Sequence, residues 1–315
     1  MRTRRSQSSS DPVSSVSSST AGRHRSVLSH QAIDSLALSA DDTVVDATLG
    51  GAGHAREIVS KLGRDGTFIG FDLDADAIQR AQAALEGSIC TTHFVEGNFK
   101  DLEGELKKFN IGTIDKALFD LGWSSYQLDA GRGFSFQKDE PLLMTYAKEG
   151  GALNAGMIVN TWSEGSIADV IFGWGQERYA RRIAKRIVEE REKKKFETAR
   201  ELADVVKAAV PARSRFGRIH PATKTFQALR IAVNDELGSL KEGLAAAWKN
   251  LAPGGRIAVI TFHSIEDREV KRFFASLVEQ GGMLISKKPV TPTREEIQEN
   301  PRARSAKLRV IQKTT

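Results

Sequence analysis

The sequence predicts an α/β fold: a mostly parallel sheet with helices on both faces, interrupted by a helical insertion. Three observations predict it. The run Val44-Val45-Asp46-Ala47-Thr48-Leu49-Gly50-Gly51-Ala52-Gly53-His54 reads as a buried strand, a glycine-rich turn and a helix opening at about Gly53. Short apolar runs then alternate with helical periodicity as far as Asp120. After Gln127 that alternation stops, and it resumes only beyond residue 220.

Composition sets the outer bounds. At 315 residues the chain suffices for one large domain or two. No apolar run approaches the ~18–20 residues of a membrane span, so no membrane partner is expected. Cys90 is the single cysteine. It excludes a disulfide framework and a thiolate zinc cluster, fits a reducing compartment, and is expected to be a small core residue. Of the net charge of +6, residues 1–25 contribute +4, from Arg2, Arg4, Arg5, Arg23 and Arg25 against Asp11. The rest of the chain is therefore only +2, and nucleic-acid binding has to be argued from local clusters.

Residues 1–22 are Ser- and Arg-rich with few apolar side chains, which predicts a disordered tail. An organelle transit peptide shares that composition, but the amphipathic stripe is missing. A cytoplasmic location is expected, with an organelle matrix as the alternative. Ser29–Leu38 predicts a short helix packing Ala32, Ile33 and Leu36. The glycine loop leads into a helix through Leu62. Thr67–Asp72 is a second buried strand, followed by a helix over Ala75–Leu85 that Asp74 can cap. Strands around Thr92–Val95 and Lys116–Asp120 enclose a helix near Leu102–Phe109. Ligands bind at the carboxyl ends of parallel strands. Gly50–His54, Asp72, Phe99 and Asp120 all fall at that edge.

Beyond Gln127, glycine-rich turns lead into helices. Residues 178–190 are amphipathic: Tyr179, Ala180, Ile183, Ala184, Ile187 and Val188 form one face, and Arg178, Arg181, Arg182, Lys185 and Arg186 the other. From Val210 to Asn234 there is no carboxylate, yet Arg213, Arg215, Arg218, Lys224 and Arg230 occur there. A locally basic surface is expected. The α/β pattern resumes with a helix near Thr225–Trp248, a turn at Leu251–Gly255, and a buried strand over Arg256–Phe262 that ends on His263-Ser264. A final strand is expected around Leu308–Ile311. The divisions are thus 1–22 (tail), 23–127 and 221–315 (two parts of one α/β domain), and 128–220 (helical insertion).

The glycine loop narrows the ligand. The dinucleotide fingerprint G-x-G-x-x-G fails, because Arg56 fills the third glycine position counted from Gly51, and Ala52 the second counted from Gly50. A dehydrogenase is therefore disfavoured. A strand ending in acid-x-Thr-x-Gly-x-x-Gly is similar to the S-adenosylmethionine (SAM) loop of Rossmann-like methyltransferases. Asp72, 18 residues after His54, is placed to accept both ribose hydroxyls of an adenosine cofactor. Capping the next helix is its alternative role.

Seven runs together resemble one family, the bacterial small-subunit (16S) ribosomal RNA cytosine-N4 methyltransferases. They are DATLGGAGH (Asp46–His54), DLGWSSYQLD (Asp120–Asp129), RGFSF (Arg132–Phe136), ERYARRIAKRIV (Glu177–Val188), HPATKTFQALRIAVNDEL (His220–Leu237), GGRIAVITFHSIEDR (Gly254–Arg268) and NPRARSAKL (Asn300–Leu308). They stand in family order over roughly residues 24–312. The resemblance implies a Rossmann-like SAM-dependent methyltransferase domain with an inserted substrate-recognition domain. It implies cofactor contacts at Ala52, Gly53, His54, Asp72, Phe99, Asp120 and Gln127, and no metal. The implied reaction is methyl transfer to the N4 of a cytosine in the decoding region, with the RNA held within the small ribosomal subunit. Asp120 is the candidate catalytic acceptor for an N4 proton, and Ser124 and His263 are secondary candidates. The oligomeric state is open and allows a homodimer. Two departures stand out. Tyr126 replaces a usual proline, and Leu143-Met144-Thr145-Tyr146-Ala147 replaces a usual Asp-Met-Arg-Met-Asp. The altered loop keeps a second function class in play, a non-catalytic ribosome-binding factor on the same fold. A SAM enzyme for small molecules would have no use for the basic insertion.

Overall fold

The computed structural model describes residues 26–122, 128, 130–147, 153–217 and 219–315. Strands β1 (Thr43–Asp46), β2 (Thr67–Asp72), β3 (Thr91–Glu96), β4 (Ile114–Asp120), β5 (Leu251–Thr261), β6 (Gly282–Leu284) and β7 (Lys307–Lys313) form one sheet in the order β3-β2-β1-β4-β5-β7-β6. β3 to β5 are parallel along that order, and β7 runs antiparallel to both β5 and β6. The central strands β1, β2 and β4 carry helices on both faces, and their middles are accordingly apolar and buried. In β2, Phe68, Ile69 and Phe71 are fully buried, as are Ala117, Leu118 and Phe119 in β4. Each large side chain of this kind contributes roughly 1.5–3 kcal/mol on burial.

The chain steps from β1 outward to β2 and β3, then returns to place β4 on the other side of β1. The carboxyl ends of β1 and β4 therefore flank the point where connections diverge, which is where open α/β sheets leave a crevice. α1 (Ser29–Leu36) and α2 (Gly53–Val59) pack on one side of the sheet, with Ala32, Ile33, Leu36, Ala55 and Ile58 buried together with β-strand residues Val44 and Leu118. α3 (Ala75–Ala84) is capped by Asp74, whose side chain accepts from the Asp76 N–H. α4 (Leu102–Lys108) follows a 3-10 turn at Phe99–Asp101.

The insertion has its own core. α5 (Ala155–Thr161), α6 (Glu164–Gly175), α7 (Ala180–Arg191), α8 (Ala199–Ala209) and α9 (Ala212–Arg215) belong to it, together with α10 (Thr223–Asn234). Their buried residues form a cluster running from Phe134 to Leu229. This apolar core thus extends into α10, beyond the expected limit at residue 220.

Two expectations differ from the structure, and one strand was not expected. The single helix over Thr225–Trp248 is two, α10 and α11 (Glu236–Asn250), because Asp235 turns left-handed at φ 46°. Aspartate tolerates that conformation better than most residues. The turn at Leu251–Gly255 is an irregularity inside β5, where pairing jumps from Ile114–Leu251 to Lys116–Arg256. β6 is three residues long, too short for an alternating pattern to announce it. α12 (Ser264–Val278), α13 (Arg294–Glu299) and a 3-10 turn at Pro301–Ser305 complete the chain. The predicted tail, Ser124, Tyr126, Gln127 and Arg218 lie outside the described residues. Among the described residues, no helix is long and apolar enough to cross a membrane.

Candidate active site

A cavity of about 1000 Å³ opens at the carboxyl edge of the sheet, over the ends of β1 and β4. The loop between β1 and α2 forms one wall. Gly50 takes φ 50°, open to a residue without Cβ, and its N–H donates to Asp72 Oδ2 at 2.9 Å. Gly53 and His54 line the cavity, as do Asp72, Phe99 and Asp120. Ala52 does not. It is fully buried, its N–H is bonded to the Leu49 carbonyl at 2.7 Å, and it takes φ 59° at the helix start. Ala52 therefore sets the turn that presents Gly53 and His54 to the cavity.

Asp72 ends β2. Its Oδ1 accepts the Asp74 N–H at 2.9 Å while Oδ2 holds Gly50. Each oxygen retains a second lone pair for a hydroxyl donor. Capping α3 falls to Asp74, so the alternative role considered for Asp72 is taken by its neighbour. Burial raises the Asp72 pKa, partly offset by those two N–H donors. Phe99 stands edge-on to Phe119, with ring centroids 5.4 Å apart, and presents an apolar face to the cavity.

Beneath these residues lies a buried charged group. His54 Nε2 is 3.3 Å from Asp120 Oδ2, with the histidine 5% and the aspartate 18% exposed. Thr48 ties the two strand ends together: its N–H donates to Asp46 Oδ1, and its Oγ1 accepts the Asp120 N–H at 2.9 Å. Burial pushes the Asp46 carboxyl up to about 7, against the pull of His54. Burial also disfavours charge on His54, yet Asp120 and Asp46 together leave its pKa above the ordinary histidine value. Asp46 Oδ2, Asp120 Oδ1 and both His54 ring nitrogens are buried without a well-formed hydrogen bond among the described residues. Unmet buried polar atoms are costly and point to a polar ligand. SAM, which carries an ammonium, a carboxylate and ribose hydroxyls, fits this set.

The opposite wall comes from parts that sequence periodicity does not reveal. Arg230 clasps Glu236 across the α10–α11 break, Nε to Oε1 at 2.8 Å and Nη2 to Oε2 at 2.9 Å. The Tyr146 hydroxyl also donates to Glu236 Oε1, at 2.9 Å. Tyr146 stacks on Phe134 with ring centroids 5.6 Å apart, and its N–H is held by Asn234 Oδ1. The altered loop thus forms part of this wall, with its own Met144 and the preceding Leu142 buried. Gly133 takes φ 75°, and a Cβ there would come within 2.3 Å of the Pro141 carbonyl oxygen, so the two arms of this loop require glycine. His263 caps α12: its Nδ1 accepts the Glu266 N–H, and Glu266 Oε2 reaches back to the His263 N–H. Ligand atoms of Glu236, His263 and Glu266 lie within 4.8 Å of one another, but Arg230 already supplies the cation for Glu236.

A Rossmann-like sheet with this cleft over β1 and β4 defines the class, a SAM-dependent methyltransferase. The family follows from comparison with known proteins. The model of the MraW methylase family matches residues 21–314, and the chain belongs to that family. Ribosomal RNA small subunit methyltransferase H of Paenibacillus sp. (strain JDR-2) is 46% identical over 314 residues, covering 92% of this chain and 99% of that protein. The protein of the same name from Deinococcus radiodurans is 47% identical over 289 residues, covering 91% and 88%. Among solved structures, an rRNA methylase from Streptococcus thermophilus is similar at 13% identity and TM-score 0.45, covering 91% of this chain and 96% of that one.

One prediction concerns the cofactor wall. Asp72→Ala should weaken SAM binding by about 1.5–3 kcal/mol, the usual loss for a charged hydrogen bond. Asp72→Asn, which keeps one acceptor, should lose less. Calorimetric titration of SAM checks this, and an unchanged affinity in the alanine variant would refute the ribose assignment.

Proposed function

We propose that this protein transfers a methyl group from SAM to the exocyclic N4 of a cytosine in small-subunit ribosomal RNA, in the decoding region, with the RNA presented in the small subunit in the cytoplasm. One observation carries this reading. A single cavity is lined both by the glycine loop with Asp72, Phe99 and Asp120 and by residues of the helical insertion and the basic C-terminal turn, including Phe134, Phe226, Arg302 and Arg304. Cofactor side and substrate side share one space. We assign the Ala52-Gly53-His54 turn, Asp72, Phe99, Asp120 and Gln127 to the cofactor, and the helices after Leu128 to RNA recognition.

SAM supplies a methyl group on a positively charged sulfur. The cytosine N4 lone pair is delocalised into the ring, so N4 is a weak nucleophile and must shed a proton as it is methylated. Asp120 is the group assigned to accept that proton. Among the described residues its Oδ1 has no hydrogen-bond partner, and His54 beside Oδ2 steadies the carboxylate.

The basic surface supports an RNA substrate, though by fewer residues than the composition suggests. Arg215 donates to the Val210 and Ala208 carbonyls, Lys224 to the Gln176 carbonyl, and Arg230 is taken by Glu236. Lys185 and Arg186 pair with Glu189 and Glu190. What stays outward is Arg178, Arg181 and Arg182 at the start of α7, together with Arg213. Tyr179 joins these two segments, its hydroxyl 3.3 Å from Ser214 Oγ. That hydrogen bond and the nearby Arg178 and Arg213 charges lower the Tyr179 pKa. Methyl-labelled SAM incubated with small subunits from a strain lacking this activity should place label in the ribosomal RNA. Label confined to ribosomal protein, or absent from the subunit, would overturn the reading.

A further inference from the structure

We propose that Phe216 is the side chain that holds the RNA open at the cavity mouth, stacking on the bases left behind when the target nucleotide turns into the cavity. The proposal rests on the rRNA substrate argued above. A base whose exocyclic amine must reach Asp120 cannot stay stacked among its neighbours, and unstacking it leaves a gap that something must fill.

Phe216 is suited to fill that gap by position, exposure and rigidity. It is 87% exposed, more than any other large apolar side chain among the described residues. Three residues further on, Ile219 is 62% exposed and lines the cavity itself. The two are separated by no more than ~10 Å of extended chain. Single exposed apolar residues are common on protein surfaces and need no explanation. Here two lie three residues apart, the second of them lines the cavity, and the element before them is fastened in place. Arg215 Nε and Nη2 donate to the Val210 and Ala208 carbonyls at 3.1 and 2.8 Å, and Ser214 meets the Tyr179 hydroxyl. The phenyl ring is therefore presented by a held turn.

The charge around it identifies the occupant. Arg213 is exposed on the short helix just before Phe216, and Arg178, before α7, and Arg181 and Arg182, on it, are exposed in the segment that Tyr179 joins to Ser214. On the other side of the cavity, Arg302 and Arg304 are exposed on the 3-10 turn that lines it. No acidic residue lies between Val210 and Asn234. Exposed arginines next to Phe216 in the chain and on the cavity lining, together with an exposed aromatic, match a nucleic-acid strand, whose phosphates follow the cations while its bases stack.

Stacking and counterion release can be separated by salt. Phe216→Ala in the full chain should lower kcat/KM for small subunits by about 10–100-fold, the usual range for losing one base–aromatic stack. It should leave SAM affinity and the salt slope of subunit binding unchanged. Phe216→Trp should keep most of the activity. Arg213→Glu should instead flatten the salt slope by about one counterion or more. A Phe216→Ala enzyme within two-fold of wild type would overturn the proposal. So would a shift in sedimentation on Phe216→Ala with activity recovering at high protein concentration, which would make the ring a protein contact. If the wild-type chain itself placed no methyl group in rRNA, the functional reading would fail first, and that result is distinct from both.

Discussion

Asp120→Ala should lower the single-turnover methylation rate at saturating SAM by about 10²–10⁴-fold, the usual cost of losing a general base. The carboxylate sits at the end of β4 with its backbone N–H locked to Thr48 Oγ1, so its place is set by the strand and not by a ligand. Oδ2 faces His54 and Oδ1 has no hydrogen bond among the described residues. Asp120→Asn preserves the shape and one acceptor oxygen but cannot take a proton. It should therefore fall between wild type and alanine. If Asp120 served only to position SAM, raising SAM to saturation would restore most of the rate in both variants. A single-turnover rate within a few-fold of wild type at saturating SAM would remove Asp120 from the chemistry and leave it a cofactor ligand.

Arg132→Met should destabilise the fold by about 3–5 kcal/mol, lowering the melting temperature on the order of 10 °C. The Arg132 guanidinium donates to Asp74 Oδ2 at 3.0 Å, with the side chains 9% and 4% exposed, and also to the Tyr146 carbonyl. Removing it strands a buried carboxylate that also caps α3. The effect is local in origin but reaches both walls of the cavity, because Asp74 follows Asp72 by two residues and Tyr146 lines the opposite wall. Adding Asp74→Asn to Arg132→Met should recover a large part of the loss, since asparagine still caps a helix without burying a charge. Urea denaturation of the single and double variants decides it. A loss below about 1 kcal/mol in Arg132→Met would show that the bridge is not holding the two walls.

Most of the α/β framework was legible because its signals are local. β2 occupies the Thr67–Asp72 run that its apolar pattern marks, and Asp74 caps α3 as an aspartate before a helix should. The cofactor wall follows from strand ends and glycines, which a linear pattern carries. The substrate wall does not. Arg230 and Glu236 are six residues apart, and on an unbroken helix they would face different sides. Only the left-handed turn at Asp235 brings them together, and nothing in the flanking helical residues announces that turn. Charge runs mislead for a similar reason. Arg215 and Arg230 count as basic in the sequence, but one caps carbonyls and the other neutralises a glutamate. The role of Tyr146 is equally hidden, since its partner Glu236 lies 90 residues away. The His263–Glu266 capping box could have been read from its spacing of three, although histidine is an unusual cap.

The central claim is that Asp120 drives methylation of a cytosine N4 in the small subunit. It is tested most directly by nucleoside mass spectrometry of rRNA from subunits treated with SAM and either wild-type protein or Asp120→Ala at saturating SAM. The expected result is one new N4-methylcytidine per subunit, in the decoding region, with wild type, and almost none with the variant in the same time. A methyl group on another base or on another position of cytosine, or equal N4-methylcytidine from both proteins, would contradict the account.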